Sequence, residues 1–202
     1  MIRLSAVSLA LIGALILLFV ALLALGGPGS AADRQILLLA QHQALVPAAR
    51  LLSDIGSWVG VLLIAAAGAA WLAVQRRFRG AIVLIVLMAS ERPLTELLKE
   101  MFDRARPDPH GHFVAVQSMA FPSGHSANAM TLGLGLALLL APERWRVPAI
   151  AASLAFALLV GSSRLVLGVH WPSDVAGGWA LGAAWTLLLI RFGEGTSAPR
   201  RH

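Results

Sequence analysis

The hydrophobic positions of this chain fall in long blocks, separated by short segments that carry charges, glycine or proline. The first block, residues 4–25 (LSAVSLALIGALILLFVALLAL), holds no charge, and others follow at about 57–75, 80–100, 124–141, 147–168 and 173–190. Each approaches the roughly 20 apolar residues that a helix needs to cross a bilayer. The pattern predicts an all-α, polytopic membrane protein, a bundle of six transmembrane helices. Residues 31–53 differ: Asp33, Arg34, Gln35, Gln41, His42 and Arg50 are set among leucines. That mixture suits an amphipathic helix lying at the interface after the first span. No internal repeat divides the chain, so residues 1–202 read as a single membrane-embedded domain, with a motif-bearing core at about 55–190.

Two blocks need comment. The first follows Arg3 and precedes GGPGSAA, a signal-peptide-like arrangement, but its apolar part exceeds the roughly 7–15 residues of a signal h-region. An uncleaved span is the expectation, with cleavage the alternative. The block at 80–100 ends in Glu91, Arg92, Pro93, Glu96 and Lys99. These charges cannot face lipid, so this helix is expected inside the bundle or with its second half at headgroup level. Pro93 is expected to kink it. The glycines at 177, 178 and 182 suggest close helix packing, and Trp58, Trp145 and Trp171 read as interfacial anchors.

Composition agrees with a membrane protein. Hydrophobic residues make up 58% and charged residues 13% of the chain, against about 25% charged in soluble domains, and the mean hydropathy is +0.78. Cysteine is absent, which excludes disulfides and cysteine metal sites and leaves the redox compartment unread. The formal charge of +6 does not point to nucleic acid, because the basic residues cluster between apolar blocks, as topology signals do. With a cytoplasmic N-terminus, Arg3, Arg76, Arg77, Arg79, Arg144, Arg146, Arg191, Arg200 and Arg201 all lie inside, and both termini are cytoplasmic. Segments 26–56, 101–123 and 169–172 then face away from the cytoplasm. Short tails and loops suggest a bacterial inner membrane. Arg200, Arg201 and His202 read as a disordered tail.

Three stretches on that outer face carry unusual polar residues: KEMFDRARP from Lys99, PSGH from Pro122, and SRLVLGVHWPSD from Ser163. Each supplies part of a phosphate site. Lys99, Arg106 and Arg164 are cations; arginine forks grip two phosphate oxygens and lysine acts as a point charge. Lys99 is the sole lysine among 16 basic residues, which hints at a specific need there. At 122–125 a helix start would offer the amides of Ser123, Gly124 and His125, together with the helix dipole, to an anion. Gly124 lets the backbone approach a ligand, and Ser123 adds a hydroxyl. Pro172 suits a first helical position, which puts Asp174 in the first turn. Asp174 can take the His170 imidazole proton and leave the other ring nitrogen free to attack phosphorus. His125 can protonate the leaving oxygen and then activate water.

With these blocks in order, the sequence resembles the type 2 phosphatidic acid phosphatase family of integral-membrane lipid phosphatases, which shares its motifs with bacterial acid phosphatases and vanadate haloperoxidases. The family pattern is matched by Lys99/Arg106/Pro107, by Pro122/Ser123/Gly124/His125, and by Ser163/Arg164/His170/Asp174. The resemblance implies a phosphohistidine at His170 supported by Asp174, with His125 as acid and base. Lys99, Arg106, Ser123, Gly124 and Arg164 would bind phosphate. It also implies no metal and no cofactor.

Blander readings exist for each residue. Arg164 can snorkel, Lys99 can pair with Asp103, Asp174 can serve only as a dipole partner, and His125 can be a helix-start residue without chemistry. Glu91, Arg92 and Glu96 are expected to pair with one another or with neighbouring helices. His110 and His112 read as solvated loop residues, with a metal or a headgroup contact as alternatives. The functional expectation is hydrolysis of a membrane lipid phosphate monoester or diphosphate. Phosphatidic acid, phosphatidylglycerol phosphate, undecaprenyl diphosphate and a lipid A phosphate all fit. The alternatives are lipid-to-lipid phosphotransfer at the same site and a small transporter, which would place its charges nearer the bilayer midplane. The expected partners are that substrate and the bilayer, with no nucleic acid; oligomeric state is not legible.

Overall fold

The computed structural model describes residues 6–195, and among them the secondary structure is helical. The elements are α1 (Ala6–Leu25), α2 (Ala31–Ala40), α3 (Val46–Ile55), α4 (Trp58–Val74), α5 (Phe78–Phe102), α6 (Gly124–Leu140), α7 (Arg146–Val166) and α8 (Pro172–Gly195). Arg3, the first two residues of the apolar block at 4–25, and Arg200, Arg201 and His202 lie outside the described residues. The six expected blocks correspond to α1 and α4–α8, with boundaries within a few residues.

Local chemistry sets these boundaries. The hydroxyls of Ser30 and Ser57 accept the amides of Asp33 and Gly60, capping α2 and α4. Asp103, in the left-handed region at φ 45°, ends α5. Pro93 lies inside α5, which continues as one helix to Phe102 although the proline removes one backbone donor.

By length and apolarity, Ala6–Leu25, Glu143–Val166 and Pro172–Arg191 can each cross a membrane. The apolar α4 and α6 are shorter, at 17 residues each, and the 25-residue α5 carries the charges of its second half.

The expected helix over 31–53 is corrected to two helices. A 3₁₀ turn at Gln43–Leu45 separates α2 from α3, and the pair is bent by 67°. Pro47, in the first turn of α3, cannot donate to a helical carbonyl upstream, and its ring opposes continuation of α2. Gln41 leaves the helix and its side-chain amide donates to the Gly111 carbonyl at 3.1 Å.

Helix α6 is the central element, packed against α4, α5, α7 and α8, while α1 packs on α8. The α6–α8 approach depends on small residues. A Cβ at Gly178 would sit 2.4 Å from the Ser123 carbonyl oxygen, and one at Gly182 would sit 2.6 Å from that of Ala127. The expectation for these glycines is met.

One end of the bundle collects the segments at 26–57, 103–123 and 167–171. Ser173 donates to Asp33 through both its amide (3.0 Å) and its hydroxyl (2.5 Å). The Phe113 amide donates to Leu167 O at 3.0 Å, and Arg50 donates to Phe113 O at 2.8 Å. The arginines at 76, 77, 79, 144 and 146 lie at the other end, around the α4–α5 and α6–α7 connections.

Candidate active site

The start of α8 builds the deepest part of the site. Pro172 occupies its first position, and Asp174 folds back so that Oδ2 accepts the Trp171 amide at 2.8 Å. This is the reciprocal half of a capping box, and it locks the carboxylate without any side-chain freedom. The same Oδ2 lies 3.4 Å from His170 Nδ1. The other oxygen, Oδ1, accepts from Arg104 Nη1 at 2.9 Å. Asp174 is fully buried and His170 nearly so.

The opposite edge of the His170 ring identifies its tautomer. Arg106 Nη1 lies 3.1 Å from His170 Nε2. A guanidinium only donates, so Nε2 presents a lone pair and the ring proton belongs on Nδ1, facing Asp174. Burial, and then the charges of Arg106, Arg164, Lys99 and His125, hold the His170 imidazole well below the usual histidine value of 6.5. The ring is therefore neutral at physiological pH, with a nucleophilic nitrogen turned outward.

His170 lines a cavity of about 200 Å³ together with residues that include Lys99, Arg106, Gly124, His125 and Arg164. Arg106 is held by the carbonyls of Ser118 (2.6 Å), Val169 (2.6 Å) and Met119 (3.2 Å). Lys99 donates to Ser118 Oγ at 3.1 Å and pairs with Glu96 at 3.3 Å. It does not pair with Asp103, which turns out of the helix. Arg164 donates through Nη1 to Ser53 Oγ, while its buried Nε has no acceptor in the protein. Three cations thus converge from α5, the 103–123 segment and α7.

The start of α6 supplies the remaining wall. The first amide bonded back along this helix is that of Ala127, to Ser123 O at 3.0 Å. The amides of Gly124, His125 and Ser126 precede it and have no intrahelical acceptor. The Ser123 amide is not free, which corrects the expectation: it donates to the Asp174 carbonyl at 3.0 Å. Its side chain is fully buried and does not line the cavity, and its Oγ is unpartnered. At Gly124 a Cβ would stand 3.6 Å from Lys99 Nζ, an ordinary contact, so packing alone does not require glycine there. The space it leaves opens onto the ammonium.

Other expectations resolve as follows. Ser163 bonds back to Val160 O at 2.6 Å and plays a helical role. Trp171 is buried and donates Nε1 to Ala105 O at 2.9 Å, so it is a packing residue and not an interfacial anchor. Glu91 is buried and accepts from Thr95 at 2.6 Å, and Arg92 lies over the Trp58 ring; neither pairs with the other. His112 Nε2 lies 3.1 Å from Pro107 O, and neither it nor His110 lines the cavity. Among the described residues no group of three or more His, Cys, Asp or Glu side chains is arranged to hold a metal ion.

Arg104 was invisible in the sequence reading. It is buried, and besides Asp174 it donates to Ser173 Oγ at 3.0 Å and to the carbonyls of Leu22 and Leu23 at 2.9 and 2.6 Å.

The sequence model of the PAP2 superfamily matches residues 80–196. The chain is 36% identical over 139 residues to phosphatidylglycerophosphatase B of Bacillus subtilis (strain 168), covering 65% of this chain and 66% of the relative. It is 33% identical over 169 residues to decaprenylphosphoryl-5-phosphoribose phosphatase of Mycobacterium tuberculosis, covering 81% and 89%. The chain therefore spans just under two thirds of the first relative and most of the second. The crystal structure of a transmembrane PAP2-type phosphatidylglycerolphosphate phosphatase from Bacillus subtilis superposes with a TM-score of 0.84 at 29% identity, covering 94% of this chain and 98% of that one.

Proposed function

This chain belongs to the PAP2 superfamily, and on that premise we propose that it hydrolyses a membrane lipid phosphate through a phosphohistidine at His170. The observation that carries this reading is the double restraint on one imidazole. Asp174 faces Nδ1 and Arg106 donates toward Nε2, so the reactive lone pair is on Nε2. His170 lines a cavity ringed by cations and helix-start amides, and Arg106 releases that lone pair when phosphate oxygens take its hydrogen bonds. The named relatives act on lipid phosphates, which supports the substrate class.

In the first step His170 Nε2 attacks phosphorus and the bond to the lipid oxygen breaks. His125 donates a proton to that leaving oxygen, and Asp174 stabilises the proton retained on Nδ1. Lys99, Arg106 and Arg164, with the amides of Gly124 and His125, hold the three phosphoryl oxygens as charge shifts onto them. In the second step His125, now neutral, takes a proton from water. The hydroxide attacks phosphorus, the P–N bond breaks and inorganic phosphate leaves. Ser123 contributes by fixing the α6 start against Asp174 rather than by touching the ligand.

The membrane arrangement belongs to the same proposal. Helices α1 and α4–α8 cross the bilayer, and α2 and α3 lie at the interface beside the site. The arginines at the far end support a cytoplasmic position for that end and an extracytoplasmic one for the site. The test is inorganic phosphate release from lipid phosphates by the purified protein, with chelator present. His170→Ala is expected to abolish it, and turnover at the wild-type rate in that variant would end the proposal. Product analysis with an acceptor lipid distinguishes transfer to water from transfer to an alcohol.

A further inference from the structure

Arg92 is a cavity-lining cation that the phosphate-holding set leaves unused. It precedes Lys99 by seven residues on α5, so a rise of 1.5 Å per residue sets its backbone about 10 Å deeper in the bundle. Seven residues also complete nearly two turns, which returns the chain to the same helix face. Both residues line the cavity, which therefore reaches along α5 from Lys99 to the Arg92 guanidinium beside Trp58. The Arg92 guanidinium lies 5.0 Å from the Trp58 ring centroid, a cation–π contact that steadies it. Among the described residues it has no carboxylate partner: Glu96 pairs with Lys99 and Glu91 bonds Thr95.

An arginine on an apolar helix of a membrane bundle is costly unless it faces a polar cavity or a partner. The cavity supplies the first condition, and its charge points to the second. Arg92, Lys99, Arg106 and Arg164 line it against the one carboxylate of Glu96, three positive charges in excess. A phosphate monoester carries about −1.5 to −2 near neutral pH, which leaves roughly one positive charge unmatched, and Arg92 is the cation outside the phosphate-holding set.

We propose that Arg92, held by Trp58, binds a second, non-scissile phosphate of the same lipid. The preferred substrates are then lipids whose headgroup carries two phosphates, and lipids with a single phosphate are poorer. A guanidinium fork suits this task because it grips phosphate oxygens in pairs. This inference rests on the phosphatase reading above, deepens its substrate class and makes Arg92 a specificity-determining residue.

The experiment compares phosphate release from phosphatidylglycerol phosphate, a polyprenyl diphosphate and phosphatidic acid by wild-type, Arg92→Gln and Arg92→Lys proteins. Wild type is expected to favour the two-phosphate lipids in kcat/KM by about tenfold, the scale of one charged hydrogen-bonding contact. Arg92→Gln is expected to erase that preference while leaving phosphatidic acid nearly unaffected, and Arg92→Lys to restore part of it. Equal losses on all three lipids, or none, would overturn the subsite.

A second arm measures binding to phosphatidylcholine vesicles doped with phosphatidylglycerol phosphate or phosphatidic acid, which needs no turnover. An Arg92-dependent preference in binding without phosphate release would end the phosphatase reading and leave the subsite standing. Release without any such preference would do the reverse.

Discussion

Arg104 donates to Asp174 Oδ1 at 2.9 Å and, through its other terminal nitrogen, to the carbonyls of Leu22 and Leu23 at 2.9 and 2.6 Å. One buried guanidinium thus joins the last turn of α1 to the carboxylate behind His170. Leu22 O also accepts the Gly26 amide at 3.1 Å, so Arg104 adds a second donor there. It supplies one to Leu23 O, among the final carbonyls that a helix leaves without an intrahelical donor, while pairing with Asp174. The first helix is thereby connected to the orientation of the proposed nucleophile, although none of its residues lines the cavity.

Removing this guanidinium leaves a buried carboxylate without its cation, a change that costs about 3–5 kcal/mol in comparable buried pairs. Arg104→Gln is expected to lower the unfolding temperature in detergent. In the protein that stays folded, kcat should fall about 10–100-fold, the scale seen when partners behind a ligating group are lost, with KM little changed. Steady-state kinetics on the folded fraction check this, and a rise in KM at constant kcat would show that Arg104 acts on binding instead.

Gly124 and Gly178 lie in different surroundings and should respond differently to alanine. At Gly124 the added methyl has room against the protein, at 3.6 Å from Lys99 Nζ, but it enters the space proposed for phosphate. Gly124→Ala is expected to fold normally and to bind vanadate or phosphate at least tenfold more weakly, roughly the loss of one charge-assisted contact. At Gly178 the methyl would sit 2.4 Å from the Ser123 carbonyl, forcing α8 from α6. Gly178→Ala should lose stability by about 1–3 kcal/mol, which thermal unfolding measures.

The pH dependence follows from His170. Burial and the surrounding cations lower its imidazole well below 6.5, so the neutral, attacking form persists as the pH falls through that value. Protonation removes it only below the lowered value. The acid limb of kcat/KM, which reports the free enzyme, should therefore contain no loss near pH 6.5 attributable to the nucleophile. Arg106→Gln removes one of the depressing charges and is expected to move that limb upward. A limb that stays in place in the variant would show that His170 does not set it.

How much of this was legible beforehand depends on whether a residue's role is local. Helices α1 and α4–α8 were legible as apolar blocks, because a sustained apolar run approaching the length of a bilayer crossing reads as a helix whatever its neighbours are; three of them reach the length and apolarity of a span. Lys99, Arg106, His125, Arg164 and His170 could be named because phosphate chemistry demands those side-chain types, and the structure gathers all five around one cavity. Asp174 could be named for its place four residues after His170. Arg104 could not, since its partners lie 70 residues ahead and about 80 behind in the chain, and no spacing rule joins them. The Ser123 amide was read as free because helix-start amides usually face outward; the approach of α8 claimed that amide for Asp174. Trp171 was misread for a similar reason, its indole being drawn inward by the Ala105 carbonyl. The break between α2 and α3 had a visible cause in Pro47, whose consequence the alternation of leucine and polar residues concealed.

The central claim is that phosphorus is bonded to His170 during turnover, and trapping that intermediate tests it most directly. Wild-type and variant proteins would be mixed with a substrate bearing labelled phosphate and an activated leaving group, quenched in alkali and mapped by peptide mass. The account predicts acid-labile, alkali-stable label on His170 in wild type, more of it in His125→Ala because the water step is slowed, and none in His170→Ala. Label on another residue, or undiminished turnover by His170→Ala, would contradict it.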